Sequence, residues 1–199
     1  MKKWLIPLVI VVILGFVVYN YAVGFYNDGV VKYEDAKTEW SKVESAYQRR
    51  NDLIGNLVKT VQGAADFERG TLKDVIEARS KATATNVSVD DLSPEKIAAF
   101  QEAQAGLSSA LSRLLVSVER YPDLKATKNF SELQQQLEGT ENRINVARDR
   151  YNDGVNKYKQ HIKKFPGSVM AGWFGLEDDL SRFESVEGAE KPVEVDFGS

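Results

Sequence analysis

The chain has 199 residues, 26 of them basic and 29 acidic, giving a formal net charge of −3. The charges are mixed along the sequence, so no basic stripe offers a nucleic-acid footprint. Cysteine is absent and His161 is the one histidine, which excludes disulfides, a cysteine-lipidated anchor and metal sites built on Cys or clustered His.

The first element is apolar. No charged residue lies between Lys3 and Asp28, and about 20 such residues cross a hydrocarbon core roughly 30 Å thick. This predicts a transmembrane anchor over 1–25. Tyr19, Tyr21, Phe25 and Tyr26 follow the apolar run and suit a membrane–water interface. A cleaved signal peptide is the competing reading, but Ala22 and Gly24 form no A-x-A pattern. Lys2 and Lys3 precede the span, while Lys32 and Lys37 follow it. The positive-inside rule then leans slightly toward an extracytoplasmic bulk domain.

Residues 26–166 read as one all-α domain. Apolar residues recur at spacings of three and four through Tyr26, Tyr33, Trp40, Val43 and Tyr47. A second run passes through Ile97, Phe100, Leu107, Leu111 and Leu114, and a third through Phe130, Leu137, Ile144, Tyr151, Tyr158 and Ile162. Such seams belong to packed long helices, coiled-coil-like, rather than to strands. Ser93-Pro94-Glu95 reads as a helix start, Thr127 as a cap, and Pro122 and Pro166-Gly167 as stops. Residues 83–93 read as a loop. Laid antiparallel, 26–63 and 128–165 pair Tyr33 with Tyr158, Trp40 with Tyr151, Tyr47 with Ile144 and Arg50 with Glu141. That favours a turn between Gly63 and Gly70 and an up-and-down antiparallel four-helix bundle. The alternative is one unbroken helix about 85 Å long. An apolar segment over 167–180 and an acidic, flexible tail over 181–199 complete the expected organisation.

One word is repeated. Tyr26-Asn27-Asp28-Gly29-Val30-Val31-Lys32-Tyr33 returns as Tyr151-Asn152-Asp153-Gly154-Val155-Asn156-Lys157-Tyr158. Either two helices solve one packing problem, with Gly where backbones approach, or the two words form a paired binding surface.

Longer blocks carry a resemblance. They are Tyr47-Gln48-Arg49-Arg50-Asn51-Asp52-Leu53-Ile54-Gly55-Asn56-Leu57-Val58, then Glu77-Ala78-Arg79, then Glu119-Arg120-Tyr121-Pro122-Asp123-Leu124, then Leu137-Glu138-Gly139-Thr140-Glu141-Asn142-Arg143-Ile144. Phe165-Pro166 and Ala171-Gly172-Trp173-Phe174-Gly175 close the series. In these the chain resembles the LemA family of bacterial membrane-anchored proteins over nearly its whole length. The resemblance implies a helical bundle behind one membrane helix, in the bacterial cytoplasmic membrane. It implies no reaction and no cofactor; some relatives are associated with membrane organisation or envelope stress. Gly55 stands where the family usually has proline, and Ala64 and Phe67 replace its usual aromatic and histidine.

No Glu-x-x-His pair, nucleophile elbow or phosphate-binding glycine loop occurs. The sequence therefore points to a non-catalytic scaffold or adaptor binding lipid, envelope proteins or a second copy, with an enzyme or ligand-binding regulator as the alternative. Arg49, Arg50, Asp52, Glu138, Glu141, Asn142 and Arg143 are the candidate polar cluster. Arg50 lies on a seam, where an unpaired charge is costly, so a register-fixing ion pair with Glu141 competes with a ligand site. Lys163, Lys164, Met170, Trp173 and Phe174 are the candidate membrane-proximal contact. They either touch lipid or cap the bundle core.

Overall fold

A computed structural model describes residues 4–63 and 68–184. Among them are six helices and no strand: α1 (Leu5–Gln62), α2 (Arg69–Ala84), α3 (Pro94–Val118), α4 (Pro122–Lys125), α5 (Lys128–Lys163) and α6 (Gly167–Phe174).

α1 is continuous over 58 residues but has two halves. Every residue from Trp4 to Tyr21 is exposed. From Phe25 onward one face is buried, through Ala36, Trp40, Val43, Tyr47 and Ile54 to Val61. α5 lies antiparallel on that face. Tyr33 meets Tyr158 edge-on with ring centroids 5.2 Å apart, and Trp40 meets Tyr151 in the same way at 5.2 Å. Gly154 sets the closest approach, because a Cβ there would lie 3.2 Å from the Ala36 Cα.

The chain turns after α1. α1 ends at Gln62 and α2 starts at Arg69, so the single unbroken helix is not formed; Ala64 and Phe67 lie outside the described residues. α2 runs back along α1, with Arg79 Nε donating to the Asn51 carbonyl at 2.8 Å. α2 has only 16 residues, about 24 Å at 1.5 Å per residue. It therefore covers only the distal part of α1. α3 then climbs again, and Phe100 packs edge-on against both Trp40 and Tyr47.

The distal half is the expected four-helix bundle. Leu53, Ile54, Leu57 and Val61 of α1 share one core with Leu72 and Val75 of α2, Leu107, Leu111 and Leu114 of α3, and Phe130 and Leu137 of α5. The proximal half is built differently. There α1 and α5 are closed over by Val87 and Leu92 of the α2–α3 loop, by α6, and by Leu180 and Phe183 of the segment that follows. The four-helix arrangement thus holds in the distal half, while in the proximal half α1 and α5 pack with Ile97 and Phe100 of α3 and with α6, and the α2–α3 loop and the C-terminal segment stand in the place of α2.

Caps follow the sequence in part. The Thr127 hydroxyl accepts from the Phe130 amide at 3.4 Å. Ser93 precedes α3 as expected, but its hydroxyl turns to Asp91 instead of capping the helix. Pro166 ends α5's path only briefly: Gly167 opens α6, and a Cβ there would lie 2.8 Å from the Phe25 ring.

Candidate functional site

A polar layer divides the two cores. Arg50, Asn51, Gln104 and Thr140 are buried. The Arg50 guanidinium donates to Ser108 Oγ at 3.1 Å, to Glu141 Oε1 at 3.2 Å and to the Gln104 carbonyl at 3.4 Å. It also bonds the Gln104 side-chain oxygen and lies over the Tyr47 ring, 4.9 Å from its centroid. Arg50 Nε and Asn51 Oδ1 are buried without a hydrogen-bond partner. The expected pair with Glu141 is therefore formed, but it is not an ion pair inside the core. The Glu141 side chain is 45% exposed against 3% for Arg50. Neutral groups on α3 supply most of the solvation that burial removes from Arg50.

The rest of the seven-residue cluster does not assemble. Arg49, Asn142 and Arg143 face solvent. Asp52 accepts from Gln48 and Glu138 from Gln134, each one turn away on its own exposed helix face. Gln104 and Ser108, which complete the layer, lie in α3 and were not part of the expected set. Their signal is weak but present: Gln104 falls where the 3-4 spacing of Ile97, Phe100, Leu107 and Leu111 skips an apolar residue, and Ser108 lies one turn on.

A second arrangement was hidden from the sequence. Residues 175–184 run as a strap across the proximal half. Tyr158 donates to the Glu177 carbonyl at 2.8 Å, Tyr151 to the Ser181 carbonyl at 2.7 Å, and Tyr33 to Asp179 Oδ2 at 2.9 Å. Asn152 grips the Phe183 backbone twice, accepting from its amide at 2.8 Å and donating to its carbonyl at 3.2 Å. Phe183 stacks on Trp40 and meets Tyr151 edge-on. The loose tail expected from residue 181 is corrected accordingly: Leu180 and Phe183 are core residues, and 181–184 are fixed. Residues 185–199 lie outside the described residues.

The repeated word now has a structural content. Tyr33, Tyr151 and Tyr158 all bond the strap, and Tyr26 packs on Phe174 at 5.3 Å. Gly29 and Gly154 are both close-approach positions, toward Leu176 and Ala36 respectively. The contacts are those of the packing reading: the two words pack α1 on α5 and hold the chain's own C-terminal segment.

Electrostatics mark the same groove. Burial raises the Tyr33 and Tyr151 hydroxyls well above the usual tyrosine range and pushes Tyr158 up to about 12, with Asp179 acting in the same direction on all three. Asp178 shows the opposite balance. Burial acts upward on it, but hydrogen bonds from Lys163 and Lys159 outweigh burial and hold the carboxyl below its ordinary value.

At the base, α6 packs beside the point where the apolar half of α1 ends. His161 stacks on Phe25, centroids 4.2 Å apart, and its Nε2 lies 2.9 Å from the Phe25 carbonyl. Of the five candidate contact residues, Met170 turns into the core and Lys163 is held by Asp178. Trp173 stays 81% exposed and Phe174 38%. The Lys164 ammonium donates to the Gln160 side chain, one turn away in α5. Phe165 and Val169, outside the expected set, are exposed beside them.

Among the described residues, no cluster of His or carboxylates could hold a metal ion. One helix among the described residues, α1, is long and apolar enough to cross a membrane.

Comparison with known proteins agrees with the blocks read from the sequence. Three relatives illustrate the match. The chain is 29% identical to the magnetosome protein MamQ of Magnetospirillum gryphiswaldense, over 84% of this chain and 68% of the relative. It is 27% identical to magnetosome protein MamQ 1 of Paramagnetospirillum magneticum, with the same coverage. It is 25% identical to protein LemA of Metamycoplasma hominis, over 85% of this chain and 74% of the relative. The model of the LemA family matches residues 39–197, from Trp40's turn of α1 through the strap and beyond it, and the chain therefore belongs to the LemA family.

Proposed function

We propose that this protein is a single-pass membrane tether carrying a non-catalytic scaffold, which offers bundle faces to envelope proteins or lipid. The observation that carries the reading is the continuity of α1. One helix of 58 residues has an exposed apolar half and a half that supplies the bundle core. A helix joined in this way transmits the position of the membrane directly to the bundle, with no linker between them. The relatives named as magnetosome proteins support a membrane setting. The flanking lysines favour an extracytoplasmic bundle in a bacterial cytoplasmic membrane.

The alternative is a ligand-binding regulator using the polar layer. A surface depression of about 290 Å³ lies there, lined by Tyr47, Arg50, Gln101, Gln104, Glu141 and Arg148. Arg50, however, already bonds Ser108, Gln104 and Glu141, which favours a structural role.

Carbonate washing of native membranes tests the tether. The full-length chain is expected to stay in the membrane fraction. A soluble product beginning near Tyr26 overturns the reading, and affinity purification from the same membranes then identifies partners of the retained form.

A further inference from the structure

We propose that α6 and the Phe165 corner form a foot that inserts into the bilayer interface where α1 emerges, giving the bundle a second attachment to the membrane. This rests on α1 being a membrane span.

The argument starts from the faces of α6. Gly167, Met170 and Ala171 point into the bundle, at the spacing of one helical stripe. Val169 and Trp173, one turn apart, lie on the other side, 49% and 81% exposed. Phe165, just before the helix, is 85% exposed. A Cβ added at Gly172 would meet nothing within 4 Å. α6 is therefore apolar inside and outside, and Ser168 is its one polar side chain. A helix of a soluble domain presents charged or polar residues on its outer face. Scattered apolar residues on a surface need no explanation, but a contiguous patch does.

Position identifies the occupant. The apolar run begins at Trp4, and about 20 residues cross the hydrocarbon core, which puts its far edge near Val23. Phe25 and Tyr26 lie within the next turn of α1. These are the residues that α6 touches: Gly167 packs on the Phe25 ring, and Phe174 meets Tyr26. At 1.5 Å per residue the foot lies within about 5 Å of the hydrocarbon edge. Its exposed patch is thus continuous with the exposed apolar surface of the span. Trp and Phe suit this depth, where an aromatic ring has one side apolar and the other wet. Lys164 sits at the same end with an exposed side chain, placed for head groups. A groove of about 550 Å³ between α1 and the foot, bordered by Tyr21, Phe25, His161, Lys164 and Phe165, opens at the same level.

Tryptophan fluorescence tests the foot in the full chain, reconstituted in phosphatidylcholine vesicles. Trp4→Phe removes the signal from the span. Trp40 is kept, because it is buried in the core at 1% exposure and serves as an unquenched internal reference. Phosphatidylcholine brominated near the head-group end of its acyl chains is expected to quench the share of emission carried by Trp173. The variant carrying Trp4→Phe and Trp173→Phe is expected to lose none. Circular dichroism confirms that both variants keep their helicity. Equal quenching of the two variants overturns the foot. Protection of Trp173, together with copy-to-copy disulfides in a Trp173→Cys variant, also overturns it and assigns the patch to a second copy. Failure of the underlying tether is read separately, as release of the protein from vesicles by carbonate.

Discussion

Arg50 shows how one residue can be placed correctly and still be misjudged. Its level with Glu141 follows from aligning two long seams, and the 3.2 Å contact is there. What the alignment of α1 with α5 did not include was α3, whose Gln104 and Ser108 carry much of the hydrogen bonding. Those partners lie 54 and 58 residues away, and no spacing rule within one helix reveals them. The energetic expectation changes with them. Arg50→Ala strands Gln104 and removes several bonds from a charged group, a loss of about 2–3 kcal/mol. Glu141→Ala leaves Arg50 its neutral partners and removes a half-exposed charge, a loss of at most about 1 kcal/mol. Urea denaturation of the two single variants and the double variant checks this, with a coupling energy expected below about 1 kcal/mol. Equal losses from Arg50→Ala and Glu141→Ala would restore the isolated ion pair. Gly55 is legible only now. It lies under the Arg79 guanidinium, where a Cβ would come within 3.1 Å of Arg79 Cζ, so its small size admits the side chain that bonds Asn51.

The long helices were legible because each buries one stripe for many turns. The strap was not, because an extended segment has no such period. Its anchors, Leu180 and Phe183, are two apolar residues among charged ones. The groove that holds them exists only once α1, α5 and the α2–α3 loop have met. Phe183→Ala removes a ring packed on Trp40, Tyr151 and Phe100, and is expected to cost about 3–5 kcal/mol, the range for a buried Phe→Ala change. Thermal unfolding of the variant measures it. The same groove predicts an alkaline weakness. Tyr158 has a folded value of about 12, above the ordinary tyrosine value of about 10. A raised value means that the folded state holds the proton more firmly than the unfolded state. This contribution is complete below about pH 10 and is lost as pH rises toward about 12. Tyr33 and Tyr151 shift in the same direction, so their losses add in that window. Tyrosinate absorbance and circular dichroism recorded together should move at the same pH. Tyr158→Phe should make the decline between about pH 10 and pH 12 shallower, even though it lowers stability at neutral pH by removing the bond to Glu177. A decline of unchanged steepness would show that the strap tyrosines do not govern it.

At the scale of the whole molecule, the apolar run and the antiparallel seams were readable because both features are long, and under the proposed tether they predict an upright bundle. α1 passes Gly24 without a break and continues to Gln62. From Phe25 to Gln62 it rises about 55 Å at 1.5 Å per residue. α5 returns the chain over the same distance, from Lys128 at the top to Lys164 at the base. A tilt of about 20°, the average for membrane helices, shortens the height by only a few ångströms. Tilting therefore cannot bring the two ends level. A bundle lying flat would need α1 to bend sharply near Gly24, and sharp helix kinks follow from Pro, Gly-Ser pairs or inserted side chains; Tyr21-Ala22-Val23-Gly24-Phe25 contains none of these devices. The absence of cysteine makes the test clean, since one introduced thiol is the sole labelling site. Lys128→Cys and Lys164→Cys replace exposed side chains at the start of α5 and just past its end, so neither disturbs the core. With an energy donor on the thiol and acceptors on the lipid head groups, transfer is expected to be strong from position 164 and weak from position 128. Cutting the strap with Phe183→Ala should leave that contrast in place, because α1 alone sets the height. Comparable transfer from both positions would mean that the bundle lies along the membrane. The rigid continuity of α1 through the interface, and with it the idea of a scaffold held at fixed height, would then be wrong.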